Sequence, residues 1–243
     1  MHRIVLDRVV EINQEVLIAG PPLEALRFQG GRMGSLLTLT DSQGRDFRGR
    51  ILRLATEEAS ILIFDAFPSP TESPVEITLL QALPEKERME LIIQKATELG
   101  VSAIIPFKSE KSTSLEEREA KQKKAHRWQE IAIKAVQQSR RAKVPRVRYY
   151  ASFREALVVC KEDGLKIILY EKEGQSLKNV LKESSPHRVY ALVGPEGGLA
   201  EEEIKMAKEE GFVPVKLGQR ILRTETAAIA LVGILQYELG DLS

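Results

Sequence analysis

Most of the chain alternates buried strands with amphipathic helices, and this alternation constrains the fold more than any other feature. Between residues 86 and 99 apolar side chains recur at helical spacing, and Gly100 stands where that helix should end. The stretch "VSAIIPF" then predicts a strand, a long helix follows over about 115–139, and the order repeats to a last helix over 224–239. Such alternation indicates an α/β fold with a mostly parallel sheet covered on both faces.

The first eighty residues have a different pattern, in which short apolar stretches are separated by turns. Apolar residues partly alternate with arginines in "FRGRILRL", as in a strand with one solvent-exposed face. The pattern predicts a small β-barrel or sandwich that leads out through "PSPTESP", residues 68–74. We therefore expect two domains, residues 1–72 and residues 73–243.

A glycine loop within "LVGPEGGLAEEEI", residues 192–204, follows a predicted strand and leads into a predicted helix. A phosphate-binding loop would supply a lysine and a hydroxyl, whereas this loop contains Glu196 and is followed by Glu201, Glu202 and Glu203. These carboxylates would repel a polyphosphate, and the glycine spacing differs from the dinucleotide-binding pattern. The other interpretation is a strand-to-helix turn whose acids complement the helix dipole.

Three strand ends carry unusual sequences, which are "LYEKEG", "LVGPEGGLAEEE" and "KLGQRILRTETAA". In open α/β sheets, ligands bind at the carboxyl ends of the strands. These three segments therefore mark the expected binding edge.

The net charge of +1 hides an uneven distribution of charge. Residues 111–148 contain twelve Lys or Arg and four Glu, a local net charge of +8. Such a run is the footprint expected for a polyanion such as RNA, and it is equally compatible with solvated helix faces. Residues 1–72 contain eight arginines, ten acids and no lysine, and the planar arginine fork suits phosphates and stacked bases.

The sequence also argues against disulfides, metal sites and membrane spans. Cys160 is the single cysteine, and His2, His126 and His187 are too far apart for metal-ligand spacing, so we expect no metal. The longest apolar run, residues 227–235, is shorter than the ~20 residues that span a bilayer, and the first residues have no signal-peptide pattern. We expect a cytoplasmic protein with no membrane partner.

A resemblance to a known family rests on four segments, which are "LVGPEGGLAEEEI", "LGQRILRTETAAIAL", "KERMELIIQKATELGVSAIIPF" and "RWQEIAIKAVQQSRRAKVP". Over about residues 80–240 the chain resembles the ribosomal RNA small-subunit methyltransferase E family of the SPOUT superfamily. The resemblance implies a PUA-like β-barrel that binds RNA, followed by a SPOUT α/β domain that contains a trefoil knot and dimerises. It also implies methyl transfer from S-adenosylmethionine to N3 of a uridine in small-subunit (16S) ribosomal RNA, with S-adenosylhomocysteine as product.

The resemblance assigns the cofactor to the three strand ends. S-adenosylmethionine has a cationic sulfonium and carries no phosphate, so a glycine loop with acidic side chains can bind it. From the residues alone, Gly218 is a strand-end turn and Thr224 a helix N-cap, and these interpretations are compatible with a cofactor site. The cofactor residues carried over are Leu169, Tyr170, Glu171, Gly194, Pro195, Glu196, Gly197, Gly198, Leu217, Gly218, Ile221, Leu222, Arg223 and Thr226.

The methyl transfer implied by the resemblance requires that the proton on uracil N3 be removed. Uracil N3–H is a weak acid, so an arginine that stabilises the anion at O2 or O4 would assist, by the reasoning used for an oxyanion hole. Arg141 and Arg223 are the expected catalytic residues, Arg141 for the RNA or the uridine anion and Arg223 beside the methyl donor. The base is unassigned, with the carboxylates of Glu196 and Glu225 as the remaining candidates.

RNA contacts and a homodimer are also expected. The residues expected to contact RNA are Arg3, Arg27, Lys121, Lys123, Lys124, Arg140 and Arg141. The homodimer follows from the resemblance, and the residues of the last helix expected to contribute to its interface are Ile229, Leu231, Val232 and Leu235.

Three positions depart from the family pattern, and two other functions stay open. Ala200 stands where serine is often found, Gln137 where glutamate is common and Arg140 where glycine is common. The alternatives are a SPOUT ribose 2′-O-methyltransferase and a non-catalytic RNA-binding ribosome assembly factor. The combination of Gly-Pro-Glu-Gly-Gly with Ile-Leu-Arg-Thr-Glu-Thr-Ala argues against the ribose enzyme, and cofactor binding would distinguish the assembly factor.

Overall fold

Two compact units make up the chain, Met1–Thr71 and Glu72–Ser243. The computed structural model describes residues 2–67, 72–84, 86–112, 123–139, 141, 143–148, 151–182 and 185–242, without the side chains of residues 2, 3, 86, 87 and 123–126. The division between the units falls within the proline-rich segment "PSPTESP".

The first unit is a five-stranded sheet with one helix. Its elements are β1 (His2–Val5), β2 (Glu15–Ile18), α1 (Pro21–Phe28), β3 (Leu36–Thr40), β4 (Asp46–Leu54) and β5 (Ala59–Ala66). The strand order is β1-β3-β4-β5-β2, in which β1 and β3 are parallel and the other neighbours antiparallel. In the described part of the chain β1 and β2 do not pair, so the sheet forms a half-barrel.

Close packing inside this half-barrel explains the glycine at position 49. A Cβ on Gly49 would lie 2.5 Å from Leu39 and 2.6 Å from Ile61, so the strand tolerates no side chain there.

The sequence patterns did not predict α1. It starts at a proline, whose missing N–H is not needed in the first turn, and it buries Leu23 and Leu26.

The second unit is built on a parallel sheet. Its strands are β6 (Glu76–Ala82), β7 (Ala103–Lys108), β8 (Arg146–Val147), β9 (Ala151–Ser152), β10 (Leu165–Leu169), β11 (Gln175–Ser176), β12 (Arg188–Val193) and β13 (Val213–Lys216). Their order is β11-β13-β10-β12-β6-β7-β8, with β9 also paired to β7, and each described pairing is parallel. The predicted α/β fold with a parallel sheet is confirmed.

Helices cover both faces of this sheet. They are α2 (Lys86–Glu98), α3 (Lys123–Ser139), α4 (Phe153–Val158), α5 (Leu177–Lys182), α6 (Glu201–Glu209) and α7 (Thr224–Leu239). Successive strand residues such as Leu79 and Leu80 fill two separate cores, the first with α2, α3, α5 and α7 and the second with α4 and α6. This two-sided burial accounts for the continuous apolar sequences of the strands. No helix among the described residues has the length and apolarity to cross a membrane.

The path into the last helix brings distant loops together. Strand β13 lies beside β10, on the side away from β12, yet α7 packs against α2, β6 and β12. Residues 217–223 therefore run back along the carboxyl edge of the sheet, toward the loop that follows β12. This return creates the wall of the site described below.

Burial on α7 excludes three of the four residues expected to contribute to a dimer interface, and the fourth, Ile229, is half-buried. Leu231, Val232 and Leu235 are fully buried in the core of their own chain, so they have no surface to offer a second copy. The apolar side chains that α7 exposes are Ile234, 37% exposed, and Tyr237, 60% exposed.

A buried arginine joins segments at the amino edge of the sheet. Arg141 is 9% exposed; its Nη1 donates to the carbonyls of Thr97 and Val101, both at 2.9 Å, and its Nη2 donates to the Glu72 carboxylate at 2.7 Å. These groups precede strands or end α2, so they lie opposite the edge where the glycine loop begins. The catalytic and RNA-contacting roles expected for Arg141 are not supported, because the protein itself encloses its guanidinium.

We expect Arg141→Ala to lower the free energy of unfolding by about 3 kcal/mol, because the variant removes one partner of a largely buried ion pair. The matched control is Arg127→Ala, which removes a surface pair with Glu90 and should cost about 1 kcal/mol or less. Urea denaturation measures both values. Equal losses in the two variants would contradict a structural role for Arg141.

Candidate functional site

A cleft of about 380 Å³ lies at the carboxyl edge of the parallel sheet. It is lined by Arg88, Leu169, Glu171, Val193, Gly194, Pro195, Glu196, Gly198, Leu199, Ile221, Leu222, Arg223, Thr224 and Ala227. An adjoining cavity of about 110 Å³ shares Leu169 and Glu171 with it and extends it to Tyr170, Leu217 and Gly218. The three strand ends singled out in the sequence thus meet in one site.

Most residues expected to hold a cofactor line this cleft or its extension, and two do not. Gly197 and Thr226 are not among the described residues that line either cavity. Gly197 packs on the loop after β7, where a Cβ would lie 3.3 Å from Lys111, and Thr226 is exposed on the first turn of α7. A larger cavity, of about 700 Å³, lies at the amino edge beside Pro74, Gly164 and His187 and includes none of the expected residues.

A buried chain of hydrogen bonds holds the glycine loop in place. The Thr224 hydroxyl donates to the Gly194 carbonyl at 2.7 Å and accepts from Gln81 Nε2 at 3.1 Å. Gln81 is fully buried and Thr224 is 5% exposed, so water does not compete for these bonds. Thr224 was expected to cap α7, but the N-cap is Arg223, and the hydroxyl binds the loop instead. The sequence signal for Gln81 was an amide side chain within the largely apolar strand "ITLLQAL".

Two glycines in the walls have backbone angles that favour glycine. Gly198 has a φ of +69° and Gly218 a φ of +133°. A Cβ on Gly218 would meet no described atom within 4 Å, so its backbone conformation, and not a lack of space, explains the glycine.

The acids after the glycine loop have different roles. Glu203 is 7% exposed and accepts hydrogen bonds, each 2.9 Å long, from the Ser109 hydroxyl and from the backbone N–H groups of Glu110 and Ala200. It therefore fastens the loop after β7 to the start of α6, where Ala200 has no side-chain acceptor of its own. Glu201 and Glu202 are exposed. The described acids that line the cleft are Glu171 and Glu196.

Two arginines line the cleft, and sequence reasoning identified one of them. Arg223 is exposed at the N-cap of α7, as its position in the loop suggested. Arg88 comes from the first turn of α2, and its Nη1 lies 2.7 Å from Glu196 Oε1 while its Nε lies 3.8 Å from Glu225 Oε2. Arg88 was missed because helical periodicity predicted α2 without showing that its first turn begins beside the glycine loop.

The expected RNA contacts are described only in part. Lys121 and Arg140 lie outside the described residues, as do the side chains of Arg3, Lys123 and Lys124. Arg27 is exposed, and its Nη2 donates to the carbonyls of Ala55 and Thr56, both at 2.6 Å. Exposed cations in the described part of the basic run are Lys111, Arg127, Lys134, Lys143, Arg146 and Arg148.

The single cysteine, Cys160, is buried in the second core. Burial raises the pKa of the Cys160 thiol to about 12, so it stays protonated in the second core. Across the described ranges, no group of three or more His, Cys, Asp or Glu is arranged to hold a metal ion.

Comparisons with known proteins agree with this architecture. A family model described as an RNA methyltransferase domain matches residues 71–236. The ribosomal RNA small subunit methyltransferase E of Bacillus subtilis is 34% identical over 212 residues, which cover 84% of this chain and 82% of that protein. The protein of the same name from Aquifex aeolicus is 36% identical over 163 residues, which cover 67% of this chain and 69% of that protein.

Two solved structures are similar over almost their whole length. A ribosomal RNA small subunit methyltransferase E from Neisseria gonorrhoeae, bound to S-adenosyl methionine, is 36% identical, covers 100% of both chains and has a TM-score of 0.74. A putative methyltransferase from Legionella pneumophila, in complex with the bound cofactor SAM, is 32% identical, covers 99% of both chains and has a TM-score of 0.72.

Proposed function

Because the chain belongs to the ribosomal RNA small subunit methyltransferase E family, we propose that it transfers a methyl group from S-adenosylmethionine to N3 of a uridine in 16S ribosomal RNA. The observation that carries this proposal is the meeting of three loops in one cleft, since those loops hold the family's cofactor motifs. Relatives that share the whole length of the chain and were solved with this cofactor support it.

The cleft has room for the cofactor and carries groups that suit it. Its volume of about 380 Å³, with the adjoining 110 Å³, suits a ligand of this size. Loop backbone supplies donors and acceptors for adenine and ribose, and Leu169, Ile221 and Leu222 supply apolar surface. Glu171 and Glu196 suit a cationic sulfonium. When bound, S-adenosylmethionine supplies an activated methyl group on a positively charged sulfur.

Residues of this chain would bind and orient both substrates. The backbone of 169–171, 194–198 and 217–223 holds the cofactor, and the Gln81–Thr224 pair fixes the position of Gly194. Arg223 lies at the start of α7, beside the expected position of the methyl donor, and we retain it as a catalytic residue that contacts that donor.

The remaining features are assigned by family resemblance and by exposed charge. The half-barrel of the first unit is the PUA-like RNA-binding domain, and the exposed cations of residues 111–148 contact RNA phosphates. The return of the chain from β13 to α7 belongs to the trefoil knot of a SPOUT domain. The protein forms a homodimer to which Ile234 and Tyr237 contribute, and the ribosomal substrate places it in the cytoplasm.

We expect Gly218→Val to weaken S-adenosylmethionine binding by about tenfold or more, because a side chain at this φ costs ~1–3 kcal/mol and shifts the backbone that contacts the ligand. Isothermal titration calorimetry measures the affinity, and a chelator should leave it unchanged. Gly211→Val is the matched control, since Gly211 also has a positive φ, of +86°, but lies after α6 and outside the cleft. Unchanged binding by Gly218→Val would exclude this loop from the pocket.

We expect 3-methyluridine when the protein and S-adenosylmethionine are incubated with small ribosomal subunits from cells that lack the enzyme. Mass spectrometry of nuclease-digested RNA identifies the product. A 2′-O-methylated nucleotide would support the ribose enzyme instead. Cofactor binding without methylation of any ribosomal substrate would support the assembly factor.

A further inference from the structure

The proposed reaction needs a fixed positive charge close to the target uracil, and this inference rests on that proposed function. Loss of the proton from uracil N3 places negative charge on N3, O2 and O4. Glu171 and Glu196 line the cleft and oppose such an anion. A preorganised cation that faces the anion would lower the barrier by the same reasoning as an oxyanion hole.

Two of the arginines considered so far are poorly suited to this role. Arg141 is enclosed at the opposite edge of the sheet, where it binds two backbone carbonyls and a carboxylate. Arg223 lines the cleft but is exposed, so water screens its charge and a free energy cost is needed to order its side chain.

Arg88 is held in place by two carboxylates before any ligand is present. Its Nη1 lies 2.7 Å from Glu196, its Nε lies 3.8 Å from Glu225, and its side chain is 29% exposed. A guanidinium presents five N–H donors in one plane, so contact with these acids is compatible with contact to a ligand oxygen. Arg88 and Glu225 also lie in the first turns of α2 and α7, whose amino ends add positive potential.

We propose that Arg88 is a catalytic residue that donates hydrogen bonds to O2 or O4 of the target uracil and stabilises its N3 anion. The N3–H bond breaks and its proton passes to solvent. The N3 electron pair then forms the N–CH₃ bond while the methyl–sulfur bond breaks, and the electrons of that bond stay on sulfur, which becomes neutral. Arg88 remains protonated throughout, because arginine does not lose its proton in proteins.

A purely structural role for Arg88 makes different predictions. If Arg88 did no more than anchor Glu196, Arg88→Ala and Glu196→Gln would disturb the glycine loop in the same way. Both variants would then weaken cofactor binding, and neither would change how the reaction depends on the acidity of the uracil.

The experiment compares full-length wild type, Arg88→Ala, Arg88→Lys and Glu196→Gln in single-turnover methylation of small ribosomal subunits across a range of pH. We expect Arg88→Ala to lower the rate about 10²–10³-fold. Cofactor affinity by calorimetry should change less than about threefold, and Arg88→Lys should recover part of the rate. Arg188→Ala, at the amino edge of the sheet, is the control and should keep the wild-type rate.

A second measurement uses a more acidic substrate. Fluorine at C5 withdraws electrons and makes uracil N3–H more acidic, so subunits assembled with 5-fluorouridine RNA depend less on a stabilising cation. We expect the defect of Arg88→Ala to shrink by about tenfold on this substrate. We also expect its rate–pH curve to shift to higher pH, because the bound uracil then ionises at higher pH. If Arg88→Ala fails to fold, Arg88→Gln is used for the same comparison.

The outcomes separate this inference from the proposed function. No methylation by the wild-type protein would overturn the proposed function, and this inference with it. If the wild type is active, the inference alone would be overturned by an Arg88→Ala variant that matches Glu196→Gln in rate and cofactor affinity. In that case its rate–pH curve would also be unshifted, and 5-fluorouridine would not reduce its defect.

Discussion

The hydrogen bond from the Thr224 hydroxyl to the Gly194 carbonyl joins the two segments on which the cleft depends. Strand β12 ends at Val193, and α7 begins at Thr224 after the chain has returned from β13. A parallel sheet places strand ends at one edge, but it does not decide which loops touch. The 2.7 Å bond, supported by the buried Gln81, fixes the contact between the glycine loop and the start of α7. Its loss would leave the Gly194 carbonyl without its Thr224 partner at the point where the two segments meet.

The acids near the glycine loop, at the carboxyl edge of the sheet, have separate structural and functional roles. Glu203 satisfies three donors and holds the loop after β7, whereas Glu196 faces the cleft and pairs with Arg88. This division explains how a glycine loop can be followed by three acids without forming a phosphate site. A cleft lined by carboxylates suits a cationic methyl donor, and a fixed arginine within it suits an anionic acceptor. The opposite edge uses its buried arginine, Arg141, to hold backbone carbonyls.

Much of the second unit could be predicted from sequence, because periodicity reports burial directly. The last helix was expected over 224–239 and has those bounds, and the three strand ends meet as the rule for parallel sheets implies. What could not be predicted depends on contacts between distant segments. Nothing local places Arg88 beside Glu196 or Arg141 beside Thr97, and Gln81 was only an amide within a largely apolar strand. The helix α1 was missed because it is short and starts with two prolines.

The central claim is that the loops after β10, β12 and β13 form the cofactor pocket. A crystal structure of the protein with bound S-adenosylmethionine tests it most directly. We predict that the ligand lies in the cleft between Gly194 and Leu222, with adenine and ribose contacted by the backbone of 169–171, 194–198 and 217–223. Binding of the cofactor in the larger cavity of about 700 Å³ beside Gly164 and His187, at the amino edge, would contradict the account.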